Sequence, residues 1–329
     1  MKHMQYFLIL VLCGILSVPS MTATDLGGID ADIDDFSSRL ARSLELRGGG
    51  LIPEETPYSK YFLKDYILSS DYDHRYEDRA NRELGRMPDS LNQSVAVVNP
   101  GTWGYVTSDR NELYLKSKLG LEMEKGHFAF VGVYDIDLGY IDDPDYYGKK
   151  WEGKSGRLDR GYLMCFDDRW DLIVGKDHNG WGTGLLISDS LWSYEQIRYR
   201  LALWDKLRIS FIAGFLDKYN LNALHPWRED VLPVNRYLSA RKIEFHNKWL
   251  SIYGIESVIY GGENRMLEPY YLVPLTWIHA EQLNHGINDN TFIGGGFKVV
   301  KSPFRVRGEF IIDDFLISGN ESGGILWKY

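Results

Sequence analysis

The chain has 329 residues, 44% apolar and 25% charged, with 33 glycines, 14% aromatics and a formal net charge of −9. An acidic balance of that size argues against a nucleic-acid partner, because phosphate backbones are held by basic faces. Of the two cysteines, Cys13 falls in the leader and Cys165 stands alone, so the spacing of neither a disulfide framework nor a zinc finger is present.

The chain opens MKHMQYFLILVLCGILSVPSMTATDL. A basic start (Lys2, His3), a largely apolar run of thirteen residues from Tyr6 to Val18, and small residues at Ser17, Ser20 and Ala23 follow the pattern of a secretory signal. The run is too short to span a bilayer as a helix. Residues 1–23 are expected to be removed on export, leaving about 300 residues, enough for one large domain or two ordinary ones.

Residues 24–90 read as a helical, periplasmic segment. Ile33, Phe36, Leu40 and Leu44 recur at helical spacing until Gly48-Gly49-Gly50 stops the pattern. Pro57 opens a second candidate helix carrying Tyr58, Phe62 and Tyr66 four apart, and the charged stretch Arg75 to Arg86 suggests a third.

From Glu112 the period changes from 3.6 to 2. ELYLKSKLGLEMEK sets Leu113, Leu115, Leu119, Leu121 and Met123 against Lys116, Lys118, Glu122 and Glu124. HFAFVGVYDIDLGY sets Phe128, Phe130 and Tyr134 against Asp135 and Asp137. Later runs repeat this. Arg198 and Arg200 alternate with Ile197, Tyr199 and Leu201, and Arg208 with Leu207 and Ile209. Lys242 and Glu244 flank Ile243, while Arg305, Arg307, Glu309 and Asp313 interleave with Phe304, Val306, Phe310 and Ile312. Such runs exceed the usual soluble strand of about five or six residues and suit a tilted membrane-crossing strand of about nine to eleven.

Tight turns are expected at Glu124–His127, Asp167–Trp170, Asp205-Lys206, Asn247-Lys248 and Lys301–Pro303. Longer polar connections lie near 141–160, 178–196, 216–235 and 261–290. Strict alternation of short and long connections is the organisation of an outer-membrane barrel, with short turns on the periplasmic rim and long loops outside. The predicted fold class is therefore an all-β transmembrane antiparallel β-barrel over residues 91–329, following the small N-terminal α-helical segment. Ten strands are clear, with another at Ser94–Asn99 and a possible start at Gly324–Tyr329. About eleven or twelve strands result, which is either a complete small barrel or the N-terminal portion of a larger one. The competing soluble β-sandwich alternates too, but seldom with strands this long.

Seven stretches resemble the capsule-assembly Wzi-like family of outer-membrane proteins. They are GKDHNGWGTGLLISDS (Gly175–Ser190), RYLSARKIEF (Arg236–Phe245), ESVIYGG (Glu256–Gly262), EPYYLVPLT (Glu268–Thr276), NDNTFIGGGF (Asn288–Phe297), EFIIDDF (Glu309–Phe315) and PYSK (Pro57–Lys60). In the first, Thr183 stands where the family pattern carries proline. The resemblance implies a barrel of about eighteen strands, of which this chain would supply the first part. It also implies a non-enzymatic surface lectin that binds exported capsular or extracellular polysaccharide.

The polar face carries Arg198, Arg200, Arg208, Lys242, Glu244, Glu256, Arg305, Arg307, Glu309 and Asp313, expected to form a lumen charge network of cross-strand ion pairs. Some of these groups offer an alternative use, bidentate contact with acidic sugars. In the long loops, Trp181 and Trp192 are candidates to stack on sugar rings, with Asp189, Asn179 and Arg236 as hydrogen-bonding partners. Tyr146, Tyr147, Trp151, Trp227, Tyr270 and Tyr271 add aromatic surface that equally suits a headgroup girdle.

Catalytic readings are weaker. No G-x-S-x-G frames Ser188, the spacing of Glu256, Glu309 and Asp313 says nothing of their separation, and Asp142, Asp143 and Asp145 do not follow an EF-hand. The glycines from Gly175 to Gly184 do not open a helix, so they read as a loop that places Trp181 and not as a phosphate cradle. No cofactor and no metal are expected. The resemblance implies polysaccharide as a partner, outer-membrane lipid and the bacterial outer membrane are the expected surroundings, and the alternatives are a diffusion channel or a periplasmic or surface glycan-active enzyme.

Overall fold

The computed structural model describes residues 55–56, 92–106, 111–138, 156–189, 191–203, 206–219, 234–262, 265–285, 289–313, 315–317 and 325–327. The expected signal segment and N-terminal helices lie outside the described residues, as do Asp142, Asp143, Asp145, Tyr146, Tyr147, Trp151 and Trp227.

The strands are β1 (Glu55–Thr56), β2 (Asn92–Val106), β3 (Asn111–Lys125), β4 (Phe128–Asp137), β5 (Gly156–Asp167), β6 (Trp170–Asp177), β7 (Gly180–Trp181), β8 (Tyr194–Leu203), β9 (Leu207–Tyr219), β10 (Val234–His246), β11 (Leu250–Gly262), β12 (Asn290–Lys301), β13 (Phe304–Asp313), β14 (Phe315–Ile317) and β15 (Ile325–Trp327). One short helix, α1 (Ile278–His285), precedes β12. Eleven strands form a single antiparallel sheet in chain order from β2 to β13, with β7 left out. β2 and β13 are its edges, and the sheet is not closed. The strand foreseen near the C-terminus exists as β15, but it pairs with β14 in a separate two-stranded sheet. β1 pairs with β7, Glu55 opposite Trp181 and Thr56 opposite Gly180.

The tight turns foreseen from the sequence all join adjacent antiparallel strands: β3 to β4, β5 to β6, β8 to β9, β10 to β11 and β12 to β13. Strands of ten to fifteen residues follow from uninterrupted two-residue alternation, which keeps one polarity on each face.

The polarity is inverted relative to a water-soluble sheet. The face bearing Glu122, Glu124, Asp135, Asp137, Arg198, Arg200, Lys242 and Glu244 is buried. The opposite face exposes Phe128, Leu163, Val174, Ile243, Ile252, Phe297 and Phe310, several beyond half of their surface. Soluble proteins rarely bury charge while presenting a contiguous apolar surface. The buried face is not wholly polar: Ala129, Val131, Val133, Tyr162, Met164, Phe166 and Ile173 form an apolar cluster across β4, β5 and β6.

A contact across the sheet shows that the buried face is concave. The Thr183 amide, six residues after the end of β6, donates to Glu309 Oε2 on β13 at 2.7 Å. Six strand spacings separate β6 from β13 along the sheet, about 29 Å at the usual spacing. Six extended residues reach only about 20 Å. The sheet therefore curls around the 178–193 connection, and its charged side is the inside of the curve.

Candidate functional site

The inner face holds a chain of ion pairs. Glu122 on β3 meets Arg160 on β5 at 3.6 Å, and Arg160 Nε donates to Asp177 at the end of β6 at 3.2 Å. Asp177 lies 3.6 Å from Arg198 on β8, which lies 3.5 Å from Asp171, and Asp171 accepts from Arg200 at 2.6 Å. None of these six residues is more than 5% exposed. Three cations and three anions alternate, so each charge removed from water meets its opposite. The order follows from register: Asp171 is directly opposite Arg200 across β6 and β8, and alternation turns both inward.

A second group lies deeper in sequence on the same face. Lys242 Nζ donates to Glu244 Oε2 at 2.9 Å and Ser251 Oγ donates to the other carboxylate oxygen at 2.7 Å, all three fully buried. Above Lys242 sit the rings of Trp181 at 5.7 Å and Tyr253 at 5.8 Å.

Trp181 is the centre of an internal plug. It is 1% exposed and packs with Ile187, Ile212, Leu238, Ala240, Tyr253 and Ile255. Two backbone hydrogen bonds, from Trp181 to Ile187 and from Gly184 to Trp181, fold the loop back on itself. Glycine is required at Gly182, where φ is +58° and a Cβ would stand 2.0 Å from the Tyr253 hydroxyl. Gly175 is equally constrained, with φ +138° and a Cβ 2.3 Å from the Gly161 carbonyl. The far end of the plug is fastened by Glu309, whose Oε2 accepts from both the amide and the hydroxyl of Thr183. Glu309→Ala is expected to remove about 2 kcal/mol of anchoring. Chymotrypsin should then cut the exposed Leu185 faster than in the wild type.

The rim of this face carries a different arrangement. A bulge in β5 opposite Val133 and Tyr134 leaves Asp159 out of the ladder and turns it inward beside Arg160. Asp159 accepts from Lys118 at 3.0 Å and meets His178 Nε2 at 3.1 Å, while His178 Nδ1 lies 3.1 Å from the Leu191 carbonyl. Both ring nitrogens thus face acceptors, and only the imidazolium donates to both. Burial opposes the charge, but the hydrogen bond and charge of Asp159, with Asp177 beyond, outweigh it and raise the His178 pKa. The stabilisation is therefore complete below the unfolded value of about 6.5 and is lost as pH rises through the folded one. Chymotryptic cleavage at Leu191 and Trp192, normalised to a peptide substrate, should accelerate on going from pH 6 to pH 8.5. In His178→Gln that dependence should vanish.

Next to this tether, Trp192 is half exposed and the Arg157 guanidinium lies 3.8 Å over its ring. Leu185 and Leu191 are exposed nearby in the same loop. An exposed indole with a cation on one face presents its other face to a ligand.

Several residues singled out from the sequence lie elsewhere than expected. Trp181 and Asn179 are both 1% exposed, so neither presents a surface to a ligand outside. Asn179 instead bonds Gln196 at 2.6 Å and Tyr194 at 3.2 Å. Asp189 and Arg236 are partly buried, Asp189 in the plug loop and Arg236 at the end of β10 distant from its turn. Arg198, Arg200, Arg208, Lys242 and Glu244 are buried on the inner face. Glu256 is a correction: it lies directly opposite Arg241, on the outer face, at 3.9 Å from that guanidinium. Arg305, Arg307 and Asp313 share the face of Glu309 on the edge strand β13, where they are exposed. Glu122, Arg160, Asp171, Asp177, Asp159 and His178 were not foreseen as members of the network. The bulge breaks the alternation of β5, and the apolar cluster places Tyr162, Met164 and Phe166 on the charged side.

On the outer face, the connection from Arg265 to His285 packs against β10 and β11. Ser239 Oγ donates to the Tyr271 carbonyl at 2.7 Å, and Tyr237, Val258, Tyr260, Tyr271 and Ile278 form a buried cluster. Arg265 pairs with Glu268 and Asp289, and Tyr271 donates to Asp289 at 2.8 Å. The hydrogen bond to Asp289 is the main reason that the Arg265 pKa is raised.

No protein-family model matches the chain, and no curated protein matches it. Among solved structures it is similar to Wzi of Escherichia coli, an outer membrane protein involved in group 1 capsule assembly and a carbohydrate-binding β-barrel. The TM-score is 0.58 at 14% identity, covering 89% of this chain and 65% of that one. The chain thus spans somewhat under two thirds of the structure it matches. What the two share at this identity is the fold: the curled antiparallel sheet described above is that of a β-barrel.

Proposed function

We propose that the protein is an outer-membrane barrel that holds exported polysaccharide at its outer rim without chemical transformation. The observation that carries the membrane part is the inverted polarity: charge is buried on the concave face and large apolar side chains cover the convex one. That distribution costs heavily in water and suits a barrel wall in lipid, where closed backbone pairing and an apolar exterior are both required. Aromatic residues beside the short turns, Phe128, Phe245, Trp249 and Phe304, are exposed and fit an interfacial girdle at the periplasmic rim.

The ligand part rests on Trp192, a half-exposed indole on the loop-bearing rim, backed on one face by the mostly buried Arg157 guanidinium, which also lies 3.9 Å from Asp135. Stacking of the exposed part of the ring against a sugar is the contact such an indole offers. The carbohydrate-binding description of the matched barrel agrees with this reading. The diffusion-channel alternative is disfavoured by the Trp181 plug and the neutralised ion-pair chain, which fill the concave side. Purified protein should migrate faster on a gel when unheated than when boiled, and should retain polysaccharide on a native affinity gel. A soluble monomer without detergent would overturn the membrane reading.

A further inference from the structure

The outer-face connection crosses a surface that, on the outer-membrane reading above, belongs to lipid. Its depth can be worked out from strand geometry. A residue in a barrel strand rises about 3.4 Å along the strand, or about 2.6 Å in height at a tilt of about 40°. Exposed aromatics at the turn between β10 and β11, Phe245 and Trp249, mark the lower edge of an apolar band about 25 Å tall. Arg241 lies five residues above His246, about 13 Å up, and Glu256 six residues above Leu250, about 16 Å up. The outward pair therefore sits near the middle of the band.

A charged pair facing hydrocarbon at that depth is costly, by about 2–4 kcal/mol for an exposed arginine. Arg241 is only 7% exposed, and the backbone amide of His279 at the start of α1 donates to Glu256 Oε1 at 3.2 Å. The connection thus reaches down to mid-band and covers the pair. Between the Tyr271 carbonyl, held by Ser239, and the His279 amide, held at Glu256, runs Val273 to Ile278 (VPLTWI), which contains no charged residue. Leu275 is 72% and Trp277 60% exposed, facing away from the sheet. The same apolar surface continues below it through Ile243, Phe245 and Ile252.

We infer that the Val273–Ile278 tip is inserted among the acyl chains of the outer leaflet, with Leu275 and Trp277 as its lipid-contacting side chains. The tip replaces lipid over Arg241 and Glu256 and presents its own apolar surface in their place. The inference rests on the outer-membrane reading, and the controls below separate the two.

The test places a nitroxide label at Leu275→Cys, and separately at Trp277→Cys, in full-length protein carrying Cys165→Ala and reconstituted in phospholipid vesicles. Collision rates with oxygen and with a water-soluble nickel chelate are compared with labels at Ile243→Cys, inside the band, and at Asp168→Cys in an exposed turn. The expected result is oxygen-dominated relaxation at Leu275 and Trp277, matching Ile243 and opposite to Asp168. Nickel-dominated relaxation at either tip site, with Ile243 still oxygen-dominated, would overturn the insertion while leaving the barrel intact. Nickel access at Ile243 would overturn both.

Discussion

Replacing Lys242 with methionine is expected to destabilise the barrel by about 3–5 kcal/mol, because it leaves the Glu244 carboxylate buried beside a neutral side chain. Both members of the pair are fully buried, 2.9 Å apart, and Ser251 occupies the second carboxylate oxygen. Arg208 is the remaining cation acting on Glu244. Glu244→Gln should cost a comparable amount, since it takes the shared carboxylate from both Lys242 and Arg208. The double variant Lys242→Met/Glu244→Leu should recover a large part of the loss, as replacement of a buried pair by packed apolar groups commonly does. The urea midpoint of the heat-modifiable gel band measures all three. Equal midpoints for the single variants and the wild type would mean that the pair is hydrated and that the inner face is open.

The second large effect separates two tryptophans that the sequence presents as equivalent. Trp181→Ala removes a ring buried against Ile212, Leu238 and Tyr253, and is expected to cost about 3–5 kcal/mol of stability. Trp192→Ala removes a half-exposed ring that covers no core, so its stability should change by less than about 0.5 kcal/mol. Polysaccharide affinity should behave in the opposite way. Loss of an aromatic anchor of this kind is worth about 2 kcal/mol, or about thirtyfold in affinity, and falls on Trp192→Ala. Trp181→Ala should lower binding only as far as it loosens the loop that carries Trp192.

The architecture was legible because alternation is a local property. Residues 112–138, 197–215 and 304–312 each declare two faces within a dozen positions, and the short turns between them declare antiparallel pairing. The placement of Trp181 was not legible. Its glycines show that a tight loop is present, but whether that loop turns outward or back into the curl depends on the Tyr253 and Glu309 contacts, more than seventy positions later in the chain. Glu256 was misplaced for a related reason. A charge in an alternating strand reads as inward, whereas here a later segment covers the outer face and makes an outward charge tolerable. That segment reads in the sequence as a polar connection, since α1 is a single short helix without a marked apolar stripe. The Asp159 bulge hides in the same way: one extra residue reverses the parity of half a strand, and nothing local announces it.

The proposed function is that of a plugged barrel binding glycan at its loop-bearing rim. Titration of detergent-solubilised full-length protein with purified capsular polysaccharide decides it, run beside Trp192→Ala and beside planar-bilayer recordings of the same preparations. Saturable binding by the wild type, a loss of about thirtyfold in Trp192→Ala at unchanged heat-modifiability, and negligible conductance in both are expected. Steady single-channel conductance with no saturable polysaccharide binding would contradict it, and would make the protein a diffusion channel.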